Sequence, residues 1–112
     1  MTISTHVLDT SAGRPAAGVR VRLQQQNGAA WTDVFAGETD RDGRVPSLLP
    51  SSVAAIAGGY RLTFEVGGYF RNRGLESFYE SVSIDFVVRD TAAHYHVPLL
   101  LSPYGYSTYR GS

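Results

Sequence analysis

The chain contains no cysteine, which excludes disulfides, thiolate metal sites and a thiol nucleophile and leaves stability to packing or association. It also has no excess of charge. Ten basic residues balance ten acidic ones, and the arginines are scattered, so no field draws a phosphate backbone and nucleic acid is not an expected partner. No stretch approaches the roughly 20 apolar residues that cross a bilayer, and Met1-Thr2-Ile3-Ser4-Thr5-His6 lacks the basic and apolar parts of a secretory leader. The ending Tyr109-Arg110-Gly111-Ser112 differs from a Ser-Lys-Leu peroxisomal address. Together these absences predict a cytoplasmic protein of bacterial type with no membrane partner. A Gly-x-Ser-x-Gly elbow, a phosphate loop, a His-Glu-x-x-His pair and a dinucleotide fingerprint are missing as well. Any hydrolysis would therefore proceed by direct attack of water rather than through an acyl-enzyme.

What remains is ordinary globular composition, 43% hydrophobic and 18% charged over 112 residues, enough for one core. No repeat, linker or low-complexity tract divides it, and one domain is expected over residues 1–112. Apolar residues recur at every second position, the period of a half-buried strand. Val19, Val21 and Leu23 alternate with Arg20, Arg22 and Gln24, Tyr60, Leu62, Phe64 and Val66 with Arg61, Thr63 and Glu65, and Val82, Ile84, Phe86 and Val88 with Ser83, Asp85 and Val87. Shorter stretches rich in β-branched or aromatic residues run over 3–8, 31–36, 94–101 and 104–110. Turn formers separate them at 11–15, Asp42-Gly43, Gly58-Gly59 and Gly67-Gly68. The prediction is an all-β, two-sheet β-sandwich of seven to eight strands with at most one short helix, at 51–57 or 69–79.

Pro98 cannot donate a ladder hydrogen bond, so its strand is expected at an edge, at a bulge or with that position turned from its neighbour. An edge carrying Leu99, Leu100 and Leu101 calls for a cover, and a symmetric partner supplies one. A homo-oligomer is predicted on that ground.

The chain has three histidines, His6, His94 and His96. Strand geometry turns His94 and His96 to one face. Such imidazoles can chelate zinc with His6 as a third nitrogen, or exchange protons with water near neutral pH. A hydrogen-bonded polar strand face is the bland alternative. Arg44, just after Asp40-Arg41-Asp42-Gly43, is either a solvated hairpin arginine or a forked donor to a carbonyl or oxyanion. The Asp40–Arg44 segment lacks the later ligands of a calcium loop, and calcium is not expected. The aromatic, hydroxyl-rich tail from Tyr104 to Ser112 reads either as an edge strand or as the wall of a pocket, with Tyr109, Arg110 and Ser112 facing it.

Four segments resemble the 5-hydroxyisourate hydrolase family: Ser4-Thr5-His6-Val7-Leu8-Asp9, Gly43-Arg44, His94-Tyr95-His96-Val97-Pro98-Leu99-Leu100-Leu101-Ser102-Pro103, and the terminal Tyr109-Arg110-Gly111-Ser112. The resemblance spans the whole chain and implies a transthyretin-like sandwich assembled as a homotetramer, with sites at the dimer–dimer interface shared between subunits. It implies a metal-free hydrolase of urate degradation needing no cofactor, with His6, Arg44, His96 and Ser112 catalytic and His6, Arg44, Tyr109 and Arg110 binding the small-molecule substrate, 5-hydroxyisourate. His94 is left as a structural or supporting residue. The rival readings are a transthyretin-like carrier of small ligands and a zinc-dependent cyclic amide hydrolase.

Overall fold

A computed structural model describes residues 1–112. Nine strands and one helix follow in order: β1 (Thr2–Asp9), β2 (Arg14–Pro15), β3 (Arg20–Asn27), β4 (Ala30–Glu38), β5 (Arg44–Val45), β6 (Gly58–Phe64), α1 (Val66–Asn72), β7 (Val82–Val88), β8 (His94–Ser102) and β9 (Gly105–Thr108). Two sheets pack face to face. One runs β2-β1-β8-β9, with β5 also paired to β1, and the other runs β4-β3-β6-β7. The all-β, two-sheet sandwich with one short helix stands as expected, and the extra strands β2 and β5 are two residues each.

The alternation that predicted strands is the alternation that fills the core. Ile3 and Val7 of β1, Val21 and Leu23 of β3, Leu62 and Phe64 of β6, and Leu99 and Leu101 of β8 are all buried between the sheets. Complete removal of such side chains from water contributes about 1.5–3 kcal/mol each before chain entropy is counted. Val66, placed by its spacing in a strand, instead opens α1. There Val66, Tyr69 and Phe70 recur at helical spacing and are buried, so one face of this short helix caps the core. The stretch 51–57 is turn and irregular backbone.

Of the places expected for Pro98 the structure takes the position turned from its neighbour, and the expectation of an edge carrying Leu99, Leu100 and Leu101 is corrected. β8 is an interior strand, parallel to β1 from Thr2↔His94 to Asp9↔Leu101 and antiparallel to β9 from Leu99↔Thr108 to Ser102↔Gly105. Pro98 fits there because its backbone faces away from β1. The carbonyl of His96 accepts from the Gly111 N–H at 2.9 Å, and that of Pro98 accepts from the Thr108 hydroxyl at 2.7 Å. The missing donor thus lies opposite the gap where the tail swings out between Thr108 and Gly111. Leu99 and Leu101 are core residues, not an apolar edge, so they give no ground for an oligomer.

Candidate active site

Because β1 and β8 run in parallel register, their even-numbered residues share the face turned from the core. Thr2, Ser4, His6 and Leu8 lie beside His94, His96, Pro98 and Leu100. The polar half of this face is the chemically interesting one. Ser4 is buried, and its hydroxyl lies 2.7 Å from His96 Nδ1 and 3.4 Å from His94 Nε2. The Thr2 hydroxyl hydrogen-bonds His94 Nδ1. The two imidazoles stand nearly parallel, 11° apart with centroids at 6.3 Å.

Arg44 reaches the same face through a turn that its neighbours build. The Asp40 carboxylate accepts the N–H groups of Asp42 at 2.9 Å and Arg44 at 3.0 Å, the Asx-type closure that aspartate favours. Gly43 has φ 74, and a Cβ there would meet the Val7 carbonyl oxygen at 2.4 Å, so only glycine fits both the angle and the approach. The Gly43 carbonyl accepts from the Val7 N–H at 2.7 Å. These bonds set β5 against β1 with His6 opposite Arg44.

The tail closes the third side. Gly111 bridges to His96 through its backbone, and a Cβ at Gly111 would sit 2.5 Å from His96 Cδ2. The backbone therefore lies directly on the imidazole edge. One step further, Ser112 joins Ser4, Thr5, Arg44, Pro46, His94 and His96 around a cavity of about 280 Å³. Burial, reinforced by the nearby His94, His6 and Arg44 charges, pushes the His96 imidazole below its ordinary 6.5. A neutral imidazole at pH 7 is a proton acceptor.

The structure thus brings His96, Arg44, Ser112 and His94 around one cavity. His6 stands beside it, half-buried and opposite Arg44, close enough to act on the His96 charge. Tyr109 and Arg110 turn the other way. They line a second, mostly apolar cavity of about 310 Å³ with Ile84, Phe86, Val87 and Tyr95, and His96 borders this cavity as well as the first. Arg110 lies 4.6 Å from the centre of the Tyr95 ring and donates to the His94 carbonyl at 3.4 Å. Within one chain they support the strand that carries the histidines and do not reach the first cavity. No three histidine or carboxylate side chains converge as a metal-binding group, His6, His94 and His96 included. Sequence reasoning assigned no role to Ser4 or Gly111. The signal for Ser4 was its spacing of two from His6, which places both on one strand face.

Residues 3–111 match the HIUase/Transthyretin family. A 5-hydroxyisourate hydrolase of Salmonella dublin is 48% identical over 110 residues, covering 98% of this chain and 80% of the relative. The solved structure of Klebsiella pneumoniae 5-hydroxyisourate hydrolase superposes with a TM-score of 0.85 at 41% identity, covering all of both chains. Sea bream transthyretin in complex with thyroxine superposes at 0.91 with 30% identity, over 99% of this chain and 95% of that one.

Proposed function

The chain belongs to the HIUase/transthyretin family, and from that premise we propose that it is a hydrolase of urate degradation, opening 5-hydroxyisourate to 2-oxo-4-hydroxy-4-carboxy-5-ureidoimidazoline. Hydrolases of this name are similar to it over nearly its full length. The observation that carries the reading is the convergence of a low-pKa imidazole, His96, with Arg44 and Ser112 on one polar cavity.

In this reading Arg44 binds and polarises the ring carbonyl and stabilises the oxyanion that forms as water adds. His96 takes the proton from that water. His6, beside Arg44, donates a proton to the leaving ring nitrogen, and the amide C–N bond breaks as the carboxylate forms. Ser112 orients the substrate by hydrogen bonding, and Tyr109 and Arg110 bind it from the tail of a neighbouring subunit or act through the strand that holds His94. No metal or other cofactor enters these steps.

Residues 1–112 are taken as one hydrolase domain, cytoplasmic in a cysteine-free chain and assembled as a homotetramer with sites at the dimer–dimer interface. What supports the assembly is exposed apolar surface: Phe78 in the loop before β7 is 72% exposed, Val87 on β7 50% and Tyr109 after β9 59%, surface that a partner subunit would cover. No helix is long and apolar enough to cross a membrane.

The carrier reading shares the fold, as the sea bream likeness attests. The hydrolase reading is favoured by the cavity on which its residues converge, whose wall is histidine, arginine, serine, threonine and one proline rather than the apolar lining that holds a hydrophobic ligand. Turnover of freshly generated 5-hydroxyisourate, followed by its absorbance, is the test. Activity that survives exhaustive chelation separates this mechanism from a zinc enzyme, and His96→Ala is expected to lower kcat by about 10²- to 10⁴-fold. A chain inactive towards 5-hydroxyisourate would remove the proposal.

A further inference from the structure

Two imidazole nitrogens meet one serine hydroxyl in this site: His96 Nδ1 at 2.7 Å and His94 Nε2 at 3.4 Å from Ser4 Oγ. A hydroxyl carries one proton, so it can donate to only one of them and must accept from the other. Thr2 holds the far nitrogen of His94, which extends the chain of bonds to an exposed residue. Only two directions are self-consistent along Thr2–His94–Ser4–His96. In one, His96 carries its proton on Nδ1 and gives it to Ser4, and Ser4 donates to His94 Nε2. His94 then donates from Nδ1 to Thr2. In the other direction every proton is reversed and His96 carries its proton on Nε2.

We propose that Ser4, seconded by His94, is a positioning residue that holds His96 in the Nδ1–H form, so that the Nε2 lone pair is free to take a proton from the attacking water. This deepens the hydrolase reading and rests on it. The choice of direction follows from the surroundings. An imidazole without an Nε2 lone pair cannot act as the base, and turning the His96 ring over would put Cδ2 where Nδ1 now stands and lose the 2.7 Å bond to Ser4. The Gly111 backbone lies against its Cδ2 edge, the parallel His94 ring lies alongside, and Ser4 itself is buried and already spent on the two imidazoles. When Nε2 gains the proton from water, the ring becomes an imidazolium whose Nδ1–H still points at Ser4 Oγ. The positive charge then rests on a donor that already has its acceptor, and no bond has to be remade.

The chain also explains a histidine that the mechanism does not otherwise use. His94 is the acceptor that keeps the Ser4 hydroxyl proton away from His96. Without it, Ser4 is free to rotate and donate to Nδ1, which would leave His96 in the wrong form.

The test uses the full-length chain labelled with ¹⁵N-histidine, at alkaline pH where the imidazoles are neutral. Two-bond proton–nitrogen spectra distinguish the protonated from the bare ring nitrogen. The wild-type protein should show His96 protonated on Nδ1, and Ser4→Ala should shift it towards the Nε2–H form that free imidazole prefers. Ser4→Ala should lower kcat about tenfold, the scale of one hydrogen bond in a barrier, with KM within about twofold. Ser4→Thr keeps the hydroxyl and should restore both the tautomer and kcat. His94→Phe keeps the stacked ring without its nitrogens and should shift the tautomer in the same direction as Ser4→Ala. A wild-type spectrum with His96 protonated on Nε2 overturns the proposal, as does a Ser4→Ala protein that keeps Nδ1–H and full kcat. Should Ser4→Ala fail to fold, the wild-type and His94→Phe spectra still decide. The spectra require no turnover, so a protein inactive towards 5-hydroxyisourate but showing the expected tautomers would remove the hydrolase reading and leave the hydrogen-bond direction established.

Discussion

Gly111→Ala is the sharpest single perturbation that the site offers. The added methyl would stand 2.5 Å from His96 Cδ2, 3.2 Å from Cγ and 3.4 Å from Cβ, whereas carbon atoms in comfortable contact lie about 3.5–4.0 Å apart. Relief therefore needs a movement of about 1 Å. Two movements can supply it: the imidazole tilts away from its place between Ser4 and the cavity, or the tail lifts and breaks the 2.9 Å bond from the Gly111 N–H to the His96 carbonyl. The first misaligns the base and the second withdraws Ser112. A misplacement of about 1 Å costs on the order of 10²-fold in rate, so kcat/KM for 5-hydroxyisourate should fall by about that factor. Stability should change little, because the tail is largely exposed and one backbone hydrogen bond is worth about 0.5–1.5 kcal/mol. The control is Gly105→Ala in the same segment, where the new methyl meets only the Ser102 hydroxyl at 3.8 Å. Stopped-flow decay of 5-hydroxyisourate and a thermal melt on all three proteins complete the assay. Wild-type kcat/KM in Gly111→Ala, or an equal loss in Gly105→Ala, would refute the reasoning.

Three further outcomes follow from the structure. Since burial first, then the His94, His6 and Arg44 charges, hold the His96 imidazole below 6.5, the acid limb of kcat/KM against pH should lie below that value. Arg44→Gln removes one positive charge and should move the limb to higher pH while lowering the rate; a limb that stays put would disconnect His96 from Arg44. The buried Asp9 carboxylate is pushed up by burial, but hydrogen bonds from Ser11, Tyr69 and the Ala12 N–H, with the Arg73 charge, outweigh that and hold it below the usual 3.8. Its contribution to stability is therefore present above about that pH and lost as pH falls through the folded-state value. Tyr69, pushed up to about 12 by its burial and by that same bond, donates to Asp9 at 2.8 Å. Tyr69→Phe should cost about 1.5–3 kcal/mol and shift acid unfolding to higher pH, both measurable by denaturant titration. Leu99→Ala, at a fully buried position in an interior strand, should cost about 2–5 kcal/mol by the same measurement. A cost under 1 kcal/mol would remove Leu99 from the core between the sheets.

The sequence by itself determined the long core strands, because an alternation of period two reports directly on a half-buried surface. Val21 and Leu23, Leu62 and Phe64, and Val82 and Val88 all face inward as their spacing predicts. It also determined that His94 and His96 share a face, and it supplied the Asp40–Gly43 turn that presents Arg44. A strand's own pattern says which face is buried and nothing about which strands lie beside it. Neighbour and register come from long-range packing, and so only the tertiary structure decided three matters. It placed β8 inside its sheet, with Pro98 turned to a gap in the tail. It set Ser4 against His96 across 92 intervening steps of chain, a contact made by the parallel pairing of β1 with β8. It sent Tyr109 and Arg110 to a different cavity from Ser112, because the tail leaves β8 after Thr108 and returns to its backbone at Gly111.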